Sequence, residues 1–113
     1  MKDTDRFKYG LSERDISTIQ DILMKYPDVK TVYIFGSRAV GKNKYGSDID
    51  LAIMNEGLNN YIVGQIKGDL EESSLPYRVD IVVYPDLDHK NLKDHIDRVG
   101  SLFYSSEEDP LNG

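Results

Sequence analysis

Cysteine is absent from the sequence, and this excludes a disulfide framework, thiolate metal ligands and a thiol nucleophile. No apolar run approaches the ~20 residues that a membrane-spanning helix needs. The polar N-terminal segment MKDTDRFKYG also lacks the apolar centre of a secretory signal. We therefore expect a cytoplasmic protein that does not enter a membrane.

Positive charge is scarce as well. The chain has 14 lysines and arginines against 20 aspartates and glutamates, which gives a net charge of −6. Proteins that bind a nucleic-acid backbone usually carry a strongly basic face, so direct nucleic-acid binding is disfavoured. With 113 residues the chain can bury roughly two thirds of its unfolded surface, enough for one small core.

Apolar periodicity predicts a small α/β domain with a short mixed sheet, in the order α-β-β-α-β-α. The first helix opens with a capping box at Ser12 and Asp15, and the last stops at Gly100 in the C′ position. No element is predicted between Gly100 and an acidic, disordered tail over 105–113, so the domain is assigned to 1–104. The predicted strands are 29–35, 48–54 and 78–84, and the later helices are about 60–73 and 88–99.

Acidic side chains stand near the start of two predicted strands. Side chains alternate along a strand, so Asp48 and Asp50 share one face of the second strand. Asp80 has a matching place in the third strand, and the long connection between them predicts that the two strands run parallel. Three carboxylates would then converge, although each unit-charge pair 4 Å apart repels by roughly 4 kcal/mol at an effective dielectric near 20. This donor set suits Mg²⁺; the alternative is that the acids simply face solvent.

A Gly-Ser pair, Gly36-Ser37, directly follows the first predicted strand. Glycine lets a phosphate approach the backbone, and a serine hydroxyl adds a donor, although the pair could also be an ordinary turn. Tyr45, close to this loop, is the tyrosine that could contact a nucleotide base. Three cations lie between the loop and the acids: Arg38, Lys42 and Lys44.

The combined pattern resembles the minimal nucleotidyltransferase (MNT) family of the DNA polymerase beta-like nucleotidyltransferase superfamily. Ten residues separate Ser37 from Asp48-Ile49-Asp50, and Asp80 stands in a later Val-Asp-Ile-Val strand. The resemblance implies that Gly36 and Ser37 bind ATP. It also implies that Asp48, Asp50 and Asp80 are catalytic carboxylates holding two Mg²⁺ ions, with Asp80 helping to deprotonate the acceptor. Many relatives have a second basic residue where this chain has Val40, so phosphate contacts are expected to rely on Lys42 or Lys44.

This resemblance implies a function in a toxin–antitoxin pair. The acceptor of AMP would be a tyrosine of a HEPN-type ribonuclease toxin, and the chain would be the antitoxin. Two alternatives remain open: a small-molecule acceptor presented by a separate helical subunit, and a non-catalytic subunit that neutralises its partner by occlusion. His89 and His95, six residues apart on the last predicted helix, are expected to be surface residues rather than a zinc pair.

Overall fold

The computed structural model describes residues 8–44 and 46–106, which form a four-stranded mixed sheet with helices on both faces. The six predicted elements are all found in the predicted order, and a fourth strand follows them. Tyr45 and residues 107–113, most of the predicted tail, lie outside the described residues. The elements are α1 (Glu13–Met24), β1 (Thr31–Phe35), β2 (Ile49–Ile53), α2 (Asn60–Glu71), β3 (Val79–Val83), α3 (Lys90–Val99) and β4 (Ser101–Ser105), with short 3-10 turns at Lys8–Gly10 and Tyr84–Asp86.

Helix α1 begins as its sequence predicts. The Ser12 hydroxyl accepts a hydrogen bond from the Asp15 N–H at 3.0 Å, and the Ser12 N–H donates to Asp15 Oδ2 at 3.4 Å. This capping box satisfies two backbone donors that the first helical turn leaves without partners. Ile19 and Leu23 then face the core and are fully buried.

The sheet has the strand order β3-β2-β1-β4. Strand β1 lies in the centre and pairs antiparallel with β2 and with β4. Strands β2 and β3 are adjacent and parallel, as the long α2 connection predicts, and their register places Asp50 beside Asp80. The two acidic strands therefore run side by side at one edge of the sheet.

Alternation along the strands divides the apolar core between the two faces of the sheet. The larger cluster lies under α1 and α2 and includes Leu51 and Ile81. The smaller cluster lies under α3, where Ile96 packs with Phe35 and Ala52. Asp50 is on the α3 face because it is directly opposite Phe35 in the β1–β2 register. None of the described helices is long and apolar enough to cross a membrane.

Strand β4 is the element that the sequence pattern fails to predict. Its residues do not alternate in burial: Leu102 is exposed, whereas Phe103 and Tyr104 are both buried. The reason is a register shift between Val32 and Tyr33, the partner residues in β1, which acts as a bulge. Ser105, predicted to begin the tail, instead pairs with Thr31 at the end of this strand.

The last helix stops at Gly100 as predicted, but this glycine does not have the left-handed conformation that is common after a helix. Its φ of −64° and ψ of 140° are extended. Glycine is needed for space, because a Cβ at this position would lie 2.6 Å from the Ile96 carbonyl oxygen and 2.9 Å from Tyr33 Cδ2. The close approach of α3 to the sheet therefore explains this glycine.

Candidate active site

Two carboxylates stand next to each other across β2 and β3. Asp50 and Asp80 are paired residues of the parallel ladder, so their Cα atoms are about 4.8 Å apart and their side chains leave the same face. Both are partly exposed. Asp48 lies two residues before Asp50, just ahead of β2, and is exposed. The predicted neighbourhood of acids is thus present in the backbone arrangement.

The Gly-Ser turn packs directly against Asp50. Gly36 follows β1 with a φ of 79°, a left-handed conformation that favours glycine. A Cβ at this position would lie 2.3 Å from Asp50 Oδ2, so a larger residue would collide with the carboxylate. Among the described residues, neither the backbone N–H groups of Gly36 and Ser37 nor the Ser37 hydroxyl donates a hydrogen bond. These donors are therefore available to an anion that binds beside the acids.

Burial is the main influence on the ionisation of Asp50. It raises the pKa of this carboxyl above its ordinary value, and the negative charges of Asp80 and then Asp48 raise it further. Electrostatic interactions with His95 and Arg38 lower the pKa of Asp50 but do not outweigh these causes. The ionised form of Asp50 is consequently disfavoured at this position, and a cation among the three acids would reverse that preference.

The donor chemistry of the acids fits Mg²⁺, although their side chains do not already form a ligand cluster. Within residues 8–44 and 46–106, no three or more histidine, cysteine, aspartate or glutamate side chains are gathered as a metal site. Asp80 Oδ1 instead lies 3.5 Å from Nε of Arg78 in an exposed ion pair. Like charges separate unless a cation lies between them. The exposed ion pair with Arg78 is weak, so Asp80 can give it up to bind such a cation. All three groups are hard oxygen donors, the type that Mg²⁺ prefers.

Arg38 has other partners than the predicted phosphate. Its side chain is buried, with 2% of the residue exposed. The Nε and Nη2 groups donate to the Ser47 carbonyl at 3.1 and 2.7 Å, and Nη1 donates to the carbonyls of Tyr9 and Gly10 at 2.9 and 3.2 Å. The guanidinium also lies 4.6 Å from the centre of the Tyr77 ring. Arg38 thus joins the Gly-Ser turn to three other segments, and its predicted phosphate contact stays a prediction.

The other predicted cations are exposed at the far end of the same turn. The Lys42 N–H donates to the Ser37 carbonyl at 2.9 Å, and the Lys44 N–H donates to the Ser47 hydroxyl at 2.8 Å. These backbone bonds fix the turn and leave both ammonium groups in solvent. Val40, at the position where many relatives have a basic residue, is 43% exposed and adds no charge. Phosphate contact by the two lysines remains a prediction.

His95 is a neighbour of the site that the sequence reasoning missed. It was expected on the surface, but it is partly buried and its ring meets Phe35 edge-on, with 6.0 Å between ring centres. The helical spacing indicates that His95 faces the sheet, because it lies three residues after Leu92 and four before Val99, both of which pack on the sheet. His89 is exposed, as expected, and its Nδ1 accepts the Leu92 N–H at the start of α3.

Comparison with known proteins agrees with this arrangement. Residues 17–109 match the family described as "Polymerase beta, Nucleotidyltransferase". A protein of Haemophilus influenzae named "Probable protein adenylyltransferase MntA" is 36% identical over 73 residues, which cover 64% of this chain and 64% of that protein. The alignment therefore spans a little less than two thirds of that relative.

Solved structures show the same fold at lower identity. A chain of a toxin–antitoxin crystal structure with AMP-PNP superposes with a TM-score of 0.66 at 24% identity, covering 81% of this chain and 74% of that chain. A chain from the complex of a tri-AMPylated Shewanella oneidensis HEPN toxin with an MNT antitoxin gives a TM-score of 0.62 at 22% identity, covering 88% and 77%. These likenesses confirm the predicted fold, a small α/β nucleotidyltransferase domain.

Proposed function

Because the chain belongs to the polymerase beta nucleotidyltransferase family, we propose that it transfers AMP from ATP to a hydroxyl group of a partner protein. The observation that carries this function is the register that sets Asp50 beside Asp80, with the Gly36 turn packed on the same carboxylate. The acceptor is a tyrosine of a HEPN-type toxin, which makes the chain an antitoxin. The Haemophilus relative, named a probable protein adenylyltransferase, supports transfer to a protein. The solved complex of a tri-AMPylated HEPN toxin with an MNT antitoxin supports the choice of a HEPN-type acceptor.

Five residues bind ATP and metal in this function. Gly36 and Ser37 hold the triphosphate through N–H and hydroxyl donors that have no partner among the described residues. Asp48, Asp50 and Asp80 are the ligands of two Mg²⁺ ions. When bound, these ions neutralise phosphate charge and make the acceptor hydroxyl easier to deprotonate. The tight packing of Gly36 on Asp50 fixes the distance between the phosphate-binding turn and the acids.

The transfer itself is a substitution at the α-phosphorus of ATP. The acceptor oxygen forms a bond to this phosphorus while the bond to the oxygen bridging to the β-phosphate breaks, and pyrophosphate leaves with that electron pair. The hydroxyl proton passes to the carboxylate of Asp80, which stands on the more open strand of the two. Positioning and charge neutralisation supply most of the rate in phosphoryl-type transfers, so rigid strands suit the task.

Neutralisation of the partner by occlusion alone is a second candidate function. The observation in its favour is that the acidic side chains are not already gathered as a metal site within the part of the chain that the structure describes. The burial of Arg38 beneath carbonyls also removes one cation from the phosphate loop. In that case the chain would bind its partner without transferring a nucleotide.

One labelling assay separates these functions. The chain is incubated with α-labelled ATP, Mg²⁺ and the HEPN-type protein encoded beside its gene. Transfer predicts label on a tyrosine of that protein, a loss of at least about 100-fold in Asp50→Asn, and little change in Asp21→Asn, an exposed acid on α1. Stable complex formation without label would support occlusion and overturn the enzyme.

A further inference from the structure

Strand β3 has an open edge. It is the last strand of the sheet on its side, and the Ile49 N–H donates to the Arg78 carbonyl at 2.9 Å. Backbone groups of a parallel strand point alternately to its two sides, so Asp80 and Val82 face β2. The N–H and C=O groups of Val79 and Ile81 and the N–H of Val83 face outward, and no backbone or side-chain group of the described residues pairs with them. The Val83 carbonyl is engaged by the 3-10 turn Tyr84–Asp86, which Val83 caps.

A cavity of about 840 Å³ follows this edge and connects the two faces of the sheet. On the α3 face it reaches the acids Asp50 and Asp80, together with Phe35. On the other face it is bounded by the end of α2, including Leu70 and Glu71. The space therefore runs from the candidate active site around the open backbone of the strand that carries Asp80.

An extended peptide is the ligand that matches these groups. Outward N–H and C=O groups along one strand are satisfied together only by another strand, the mode known as β-strand addition. A residue opposite or diagonal to Asp80 in such a strand would send its side chain to the same face, within reach of a long aromatic side chain. The exposed pair of Arg78 with Asp80 is no obstacle, because ion pairs of this type contribute little.

A second copy of the chain fits this edge less well. Pairing two β3 strands side by side would bring one Asp80 toward the other, with an Asp50 next to each. Like charges across paired strands are destabilising. A foreign segment has no such penalty, and an acceptor hydroxyl beside Asp80 is what the proposed transfer requires.

We propose that the open edge of β3 binds an extended segment of the acceptor protein by β-strand addition, and that this segment carries the hydroxyl that receives AMP. The inference rests on the proposed function and names how the acceptor is held. Val79, Ile81 and the Val83 N–H supply the backbone bonds, and the cavity beside α2 takes the side chains that point away from the acids.

The test uses the full chain and a synthetic peptide of about ten residues centred on the labelled tyrosine, which mass spectrometry of the labelled partner identifies. Titration of the peptide into isotope-labelled protein should shift the Val79 and Val83 amide resonances and slow their hydrogen exchange at least tenfold. Amides of β4 serve as the control and should not respond. The exchange measurement is made on the wild-type protein, so its result does not depend on whether a variant folds.

A matched pair of variants at one position isolates the backbone bond. Val79→Pro removes the outward N–H at the first residue of the strand, where proline is tolerated, and should weaken peptide binding at least tenfold. Val79→Ala keeps that N–H although it removes more of the side chain, and should change peptide binding less than threefold. Equal losses in both variants would assign Val79 to packing and overturn the proposal.

The outcomes also separate this inference from the proposed function. A labelled partner whose peptide leaves the Val79 and Val83 amides unchanged would overturn the inference and leave adenylyl transfer standing. A partner that takes no label overturns both. Protection of the edge amides that grows with the concentration of the chain alone would show that a second copy occupies the edge, and would also overturn the inference.

Discussion

Asp80 differs from Asp50 in its neighbours, and this predicts different effects of the two amide substitutions. Asp50 packs against Gly36 in the Gly-Ser turn, whereas Asp80 stands on the edge strand away from that turn. Asp80→Asn should therefore lose transfer at least about 100-fold while AMP-PNP affinity, measured by calorimetry with Mg²⁺, falls less than in Asp50→Asn. An equal collapse of AMP-PNP affinity in both variants would contradict this division of roles.

The contacts of Arg38 predict that its substitution lowers the stability of the fold rather than only weakening the binding of a ligand. A lysine cannot reach the carbonyls of Ser47, Tyr9 and Gly10 together, and it leaves buried acceptors without donors. Arg38→Lys should lower the free energy of unfolding by about 2–4 kcal/mol in urea denaturation.

Lys42→Gln, which removes an exposed cation from the same turn, is the control and should stay within about 0.5 kcal/mol of wild type. If Arg38→Lys has wild-type stability but a weakened affinity for AMP-PNP, the guanidinium contacts phosphate after all.

The spacing of residues along the sequence was sufficient to predict that Asp50, Asp80 and Gly36 lie close together. Strand alternation and one parallel connection determine where those residues lie, and both can be read from neighbouring letters. The partners of Arg38 could not be predicted in this way, because its carbonyl acceptors belong to turns distant in sequence. The position of His95 was readable from helical spacing, but its contact with Phe35 depends on how α3 crosses the sheet.

Helices α1 and α2 are joined by a polar link beside their apolar contact. The Tyr26 hydroxyl, just beyond α1, donates a hydrogen bond to Asp69 of α2, and Lys25 Nζ lies 3.1 Å from the same carboxylate. Tyr26→Phe removes the hydrogen bond and keeps the ring. Its melting temperature should be about 5 °C below that of wild type at pH 7, and an unchanged value would show that the link adds no stability.

The same link predicts a loss of stability in alkali. The hydrogen bond to Asp69, with burial and the charge of Asp69 adding to it, raises the pKa of Tyr26 from 10.0 to about 12. A group whose pKa is higher in the folded state stabilises below its unfolded value, and that contribution disappears as pH rises to the folded value. The difference in melting temperature between wild type and Tyr26→Phe should therefore shrink between pH 10 and 12. A constant difference over this range would contradict the assignment.

At the level of elements, the sequence predicts each piece whose large apolar residues recur at the spacing of a helix or of a strand face. Helix α1, with its capping box, and strands β2 and β3 satisfy this condition. Strand β4 does not, because the bulge opposite Val32 and Tyr33 makes Phe103 and Tyr104 both face the core. A bulge depends on the partner strand as well as on local sequence, so a reading of β4 alone could not find it.

The molecule as a whole should respond to Mg²⁺ and ATP through its acids. A ligand that binds only the folded state adds about 2.7 kcal/mol at a hundredfold excess over its Kd, which for a domain of this size raises the melting temperature by on the order of 10 °C. The melting temperature should therefore be lowest in EDTA, higher in Mg²⁺ and highest in Mg²⁺ with ATP. The same melting temperature in all three solutions would favour the occlusion function.

Asp50→Asn should be more stable than wild type in EDTA. Burial, then Asp80 and Asp48, raise the pKa of Asp50 in the folded state. Folding therefore disfavours the carboxylate, and its destabilising effect grows as pH rises from the ordinary value of about 3.9. The melting temperature of Asp50→Asn relative to wild type should increase from pH 4 to pH 7 and respond less to Mg²⁺–ATP. We expect a smaller effect for Asp48→Asn, because Asp48 is exposed.

The position of β4 has a consequence for the order in which the protein can be completed during synthesis. Among the described strands, β1 is made first, and β4, which covers one of its sides, is made last. Until β4 emerges, the nascent sheet leaves β1 as an open edge and the site of Phe103 unfilled. An open central strand is a template for pairing with another chain. The period before β4 docks is therefore when two nascent copies are most exposed to exchanging strands.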